Sequence, residues 1–156
     1  MKRDVYGEYH ELYREQFRRF AEKEIAPKIA AWNAAGMPDR ATWRRLGDEG
    51  FLGATMPEAY GGAGGDISHA LVTAEEMLMG GRSVGVTVGL GSLGIAIPPI
   101  LAHGSEEQKQ RLVPPVLRGE KIAALAITEP GGGSDVASLR TTAVRGQTSE
   151  KENGFA

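Results

Sequence analysis

The sequence has 156 residues, 41% hydrophobic, 24% charged and 6% aromatic, with 18 basic and 20 acidic side chains and no cysteine. A chain of this length buries roughly 70% of its unfolded surface, enough for one core, and the composition excludes collagen, a disulfide-rich module and a disordered chain. The near-neutral charge speaks against a polycationic surface for nucleic acid or anionic lipid, and the lack of cysteine removes disulfides, thiolate–metal sites and a cysteine nucleophile.

The opening MKRDVYGEYHEL has no apolar segment of the signal-peptide kind, and its acids Asp4, Glu8 and Glu11 speak against a transit peptide. No run of roughly 18 residues is apolar without interruption, so no membrane span is expected, and the expected location is the cytoplasm. Of the 22 glycines, 18 lie between Gly47 and Gly133, which separates a glycine-poor opening from a glycine-rich middle.

Tyr9 to Trp32 reads as one long helix, with Tyr9, Tyr13, Phe17, Phe20, Ile25, Ile29 and Trp32 on the buried side and a kink at Pro27. Asp39 caps a second helix running to about Glu49, with Trp43 and Leu46 inward. After the glycine-rich loop Pro57 to Gly65, Asp66 caps a third helix with Ala70, Leu71, Ala74, Met77 and Leu78 inward. Val84 to His103 is almost wholly apolar and reads as a helix buried on all sides. Ser105 with Gln108 forms a capping box for a fifth helix ending near Gly119. At Lys121 the period changes: KIAALAITE reads as a strand ended by a turn, and LRTTAVR as another weak strand. The expected fold class is therefore mainly α, an N-terminal helical bundle over 1–120 followed by the first strands of a truncated β domain over 121–145. A loose polar tail is expected over 146–156.

Several patterns carry little chemistry. Gly89-Leu90-Gly91-Ser92-Leu93-Gly94 matches the dinucleotide fingerprint, which would make a nicotinamide cofactor the ligand, but Pro98 and Pro99 interrupt the helix that must carry the pyrophosphate. Ser92 misses the nucleophile elbow by one position. His10, His69 and His103 show no metal-ligand spacing and read as ordinary surface or boundary histidines, and no metal is expected. Glu75-Glu76 and Glu106-Glu107 read as solvated helix faces.

The segment Leu125-Ala126-Ile127-Thr128-Glu129-Pro130-Gly131-Gly132-Gly133-Ser134-Asp135 differs. Glycines that permit close approach and positive φ, flanked by the hydroxyls of Thr128 and Ser134, suit a loop that lays main-chain N–H groups against a flat polar ring or a phosphate. A plain tight turn is the alternative reading.

AITEPGGGSD resembles the signature segment of the acyl-CoA dehydrogenase family. EIAP, LGDEGFLG, PEAYGGAGGD, HGSEEQKQRLVPPVLRGEKIAALAITEP and SLRTTAVR follow the family's order, so the resemblance covers about residues 8 to 145. The PEAYGGAGGD loop and HGSEEQ lean toward medium- or long-chain members. The resemblance implies FAD as cofactor and an acyl-CoA substrate oxidised to 2-enoyl-CoA, a carboxylate taking the C2 proton and the flavin accepting hydride from C3. It implies an electron-transfer flavoprotein or similar acceptor and a homo-oligomer for the full-length enzyme. Thr128 would hydrogen-bond the isoalloxazine edge, Leu125 and Ile127 would flank its pyrimidine side, and Gly133 would allow close approach. Ser134 would contact both the FAD pyrophosphate region and the pantetheine arm of the substrate. Leu90, Leu93 and Ile97 would face the acyl chain, or else belong to the core. The family's catalytic glutamate lies in a C-terminal helical domain, so no residue is named as catalytic base and this chain alone is expected to be inactive. A non-catalytic helical interaction module is the alternative.

Overall fold

The computed structural model describes residues 5–142, so the expected tail over 146–156 and the last three residues of LRTTAVR lie outside it. The chain divides between Leu125 and Ala126 into two units.

In the first unit, α1 (Glu8–Phe20) carries Glu8 and Glu11 in its first turn and Arg18 and Arg19 in its last, the order that the helix dipole favours. It does not continue as one α-helix to Trp32. Ala21–Ile25 forms a π turn, Ala26–Lys28 a 3-10 turn, and α-geometry resumes in α2 (Ile29–Ala35). Pro27 has no N–H to give and its ring crowds the preceding turn, and the π turn just upstream absorbs the misfit. Phe17, Ala21, Ile25 and Trp32 are all buried despite the change of winding.

α3 (Arg40–Asp48) starts at Asp39, whose carboxylate accepts from the Thr42 amide at 2.6 Å and from the Trp32 indole at 3.0 Å. Leu46 is buried as expected, whereas Trp43 is half-buried and Thr42 takes the inner position. α4 (Ile67–Met79) buries Val72, Glu76 and Met77, while the expected inward residues Leu71 and Leu78 are 48% and 45% exposed. The helix is turned toward α1, its principal neighbour, because two arginines there satisfy Glu76.

Val84 to His103 forms two helices, α5 (Val84–Gly91) and α6 (Leu93–His103), separated at Ser92. The segment has the length and mean hydropathy, 1.8, of a membrane-crossing helix, and 22% of that stretch is buried, so the expectation of burial on all sides is corrected. Val86, Leu93, Ala96 and Ile97 enter the core, and Val84, Val88 and Ile95 face outward. α7 (Glu106–Leu117) begins with the expected Ser105–Gln108 capping box and carries Pro114 and Pro115 within its second half. Phe51 knits the core together, with its ring edge-on to Phe17 at 4.8 Å and to Phe20 at 5.2 Å between centroids.

The second unit contains no strand among its described residues. The strands expected over Lys121–Glu129 and at LRTT are absent; one antiparallel bridge joins Glu129 to Gly132, and a 3-10 turn covers Val136–Ser138. A strand needs a neighbour to complete its ladder, and the described residues supply none. The described chain is mainly α.

Candidate functional site

Glu129 and Gly132 exchange both backbone hydrogen bonds, at 3.2 and 3.1 Å, which turns the chain sharply through Pro130 and Gly131. Pro130 presets the first turn position. None of Gly131, Gly132 and Gly133 adopts positive φ, so these glycines serve by leaving space and not by left-handed backbone. A Cβ at Gly131 or Gly133 would meet nothing within 4 Å. Among the described residues, the hydroxyls of Thr128 and Ser134 and the amides of Gly131, Gly133 and Ser134 have no hydrogen-bond partner. Ile127 lies just ahead, 37% exposed, and Leu125, 46% exposed, ends the first unit. Two hydroxyls and three free amides around side-chain-free backbone form a donor set suited to a flat, acceptor-rich ring.

Sequence reasoning missed the acid in this segment. The Glu129 carboxylate accepts from the Arg140 amide at 3.0 Å, from the Thr141 amide at 2.7 Å, and from the Thr141 hydroxyl. The Thr141 hydroxyl, with the two amides, holds its carboxyl below the usual glutamate value. An acid set directly between Thr128 and Pro130 was the available signal.

In the first unit an apolar cavity of about 160 Å³ opens between α4, α5 and α6, lined by Phe51, Met56, Met77, Leu90, Leu93 and Gly94 among others. That is comparable to the ~150 Å³ apolar cavity that takes up benzene, room for a short alkyl segment. Leu90 and Leu93 therefore face it. Ile97 is fully buried in the core and does not line it.

One charge cluster corrects the solvated reading of Glu76, and a second surrounds the boundary histidines His10 and His69. Glu76 is 1% exposed and accepts from Arg14 and Arg18. Burial alone would raise its carboxyl; the hydrogen bonds from Arg18 and Arg14 outweigh that and hold it below its ordinary value. The rings of His10 and His69 lie tilted by 57° with centroids 4.5 Å apart beside Asp66, with one potential ligand atom from each residue within 4.8 Å of the others. His10 Nδ1 accepts from the Gly7 amide at 3.0 Å and His10 Nε2 donates to the Asp66 carboxylate at 3.2 Å, while His69 Nδ1 donates to the same carboxylate at 2.9 Å. A metal on His10 Nε2 would need the opposite tautomer. It would also place a cation at the N-termini of α1 and α4, where the dipoles favour an anion. The trio is a capping cluster.

Gly89 to Gly94 lies within α5, the Ser92 break and α6, with no strand before it, so the dinucleotide fingerprint has lost its structural context.

Residues 7–120 match the acyl-CoA dehydrogenase N-terminal domain. The long-chain specific acyl-CoA dehydrogenase, mitochondrial, of Sus scrofa is 38% identical over 141 residues, covering 90% of this chain and 32% of that protein. Acyl-CoA dehydrogenase from Geobacillus kaustophilus has a similar structure, with TM-score 0.83 at 39% identity over 94% of this chain and 38% of that one. Acyl-CoA dehydrogenase complexed with FAD from Bacillus anthracis gives TM-score 0.77 at 30% identity, covering 90% of this chain and 24% of that one. The chain spans about a third of the length of the curated relatives it matches. With its helical domain matched throughout, the chain belongs to the acyl-CoA dehydrogenase family.

Proposed function

We propose that the chain supplies the helical domain and the flavin-facing turn of an FAD-dependent acyl-CoA dehydrogenase that converts acyl-CoA thioesters to 2-enoyl-CoA. The observation that carries this reading is the Thr128–Ser134 turn, where the hydroxyls of Thr128 and Ser134 and the amides of Gly131, Gly133 and Ser134 are unspent beside open glycines. When bound, FAD supplies the hydride acceptor. Thr128 and the free amides hold the ring edge, Ile127 and Leu125 offer apolar contact at its pyrimidine side, and Gly133 leaves room for it. Ser134 donates toward the pyrophosphate and the pantetheine arm. Leu90 and Leu93 receive the acyl tail, and the cavity they line supports that assignment.

The base that removes the C2 proton is assigned to none of the described residues. An electron-transfer flavoprotein as acceptor and a homo-oligomeric assembly for the whole enzyme belong to the same reading. A titration of the purified protein with FAD, followed by flavin fluorescence, tests it. Saturable quenching that NADH does not displace is expected; quenching absent at every FAD concentration, or reversed by NADH, contradicts it.

A further inference from the structure

We propose that Glu129 is a positioning residue, its carboxylate closing the loop from 129 to 141 so that the Gly131–Ser134 turn is held in the shape that receives FAD. The inference rests on the flavin reading above. Its basis is the concentration of bonds on one residue: the backbone of Glu129 pairs with Gly132, and its side chain collects the Arg140 amide, the Thr141 amide and the Thr141 hydroxyl. The same residue therefore fixes the start of the turn and the return of the chain.

Little else holds this loop. Among the described residues no ladder runs along it, and its other side-chain bond, Ser138 Oγ to Asp135 at 2.5 Å, is local to the 3-10 turn. Closing a loop of this length costs entropy whether or not a ligand is present, and hydrogen bonds to an ionised acceptor are about twice as strong as neutral ones. Because Glu129 takes the donors at 140 and 141, Thr128, Gly131, Gly133 and Ser134 keep theirs for a ligand. A preformed turn spares FAD the ordering cost on binding.

The test is an FAD titration of the wild-type chain and of Glu129→Ala and Glu129→Gln, read as dissociation constants and backbone amide chemical shifts. In the wild type FAD is expected to move the amides of Thr128 and Gly131 to Ser134. Glu129→Ala is expected to bring the Arg140 and Thr141 amides to random-coil shifts, leave α1–α7 unchanged and weaken FAD binding about tenfold. Glu129→Gln, keeping one acceptor oxygen, is expected to recover part of that affinity. Equal FAD affinity in Glu129→Ala and wild type overturns the inference. If FAD leaves the wild-type turn amides unmoved while Arg140 and Thr141 still depend on Glu129, the flavin reading fails and the ligand-positioning role falls with it.

Discussion

Arg18 Nε donates to Glu76 Oε2 at 2.6 Å and Arg14 Nη1 to Glu76 Oε1 at 2.8 Å, which makes a carboxylate with 1% exposure the charged link between α1 and α4. Removing one partner of such a pair strands the others. Glu76→Ala is expected to cost about 2–4 kcal/mol in urea unfolding, toward the low side because Arg18 is half in solvent. The folded-state pKa of Glu76 is depressed, so its contribution is complete above the ordinary glutamate value and is lost as pH falls through the folded one. An acid titration of stability should therefore be steeper below about pH 4 for wild type than for Glu76→Gln.

Asp66 follows the same sign. The His69 side chain, then His10 and the His69 amide, pull its carboxyl down to about 2. Its contribution is expected to disappear between about pH 4 and about pH 2. Asp66→Ala should flatten that part of the thermal midpoint against pH curve; an unchanged curve would deny the cluster its capping role.

Gly119 and Trp43 limit each other. Gly119 sits at φ 70° and a Cβ there would lie 2.7 Å from the Trp43 carbonyl, whereas Gly36, at φ 77°, has nothing within 4 Å. Gly119→Ala is expected to cost more than about 2 kcal/mol and Gly36→Ala about 1 kcal/mol. Chemical denaturation of the two variants side by side measures the difference.

Leu90 and Ile97 separate pocket from core. Ile97→Ala is expected to lose about 2–5 kcal/mol of stability without altering the cavity lining. Leu90, half-buried on the cavity wall, should cost less when cut to alanine and should change acyl-CoA affinity in a chain-length-dependent way. Calorimetric melting combined with acyl-CoA titration distinguishes them.

The helices were legible where a side chain caps them: Asp39, Asp66 and Ser105 each mark a start that the structure keeps. The facing of α4 was not, because apolarity placed Leu71 and Leu78 inward while an ion pair with α1 turned Glu76 in. Hydrophobic periodicity has no means of registering a partner sixty residues away. Val84 to His103 misled for a related reason, since a helix apolar on every side reads as buried whatever surrounds it. The tight turn after Glu129 was legible from Pro130 and the glycines that follow it. The acid that closes it was not, because its partners at Arg140 and Thr141 lie across the loop.

The most direct test of the flavin-facing turn uses Gly133. A Cβ there meets no neighbour within 4 Å, so Gly133→Leu should melt with the wild type while its side chain fills the space where the ring would lie. FAD affinity at least about tenfold weaker at an unchanged thermal midpoint is expected. Undiminished FAD affinity in Gly133→Leu would contradict a flavin seated against this turn.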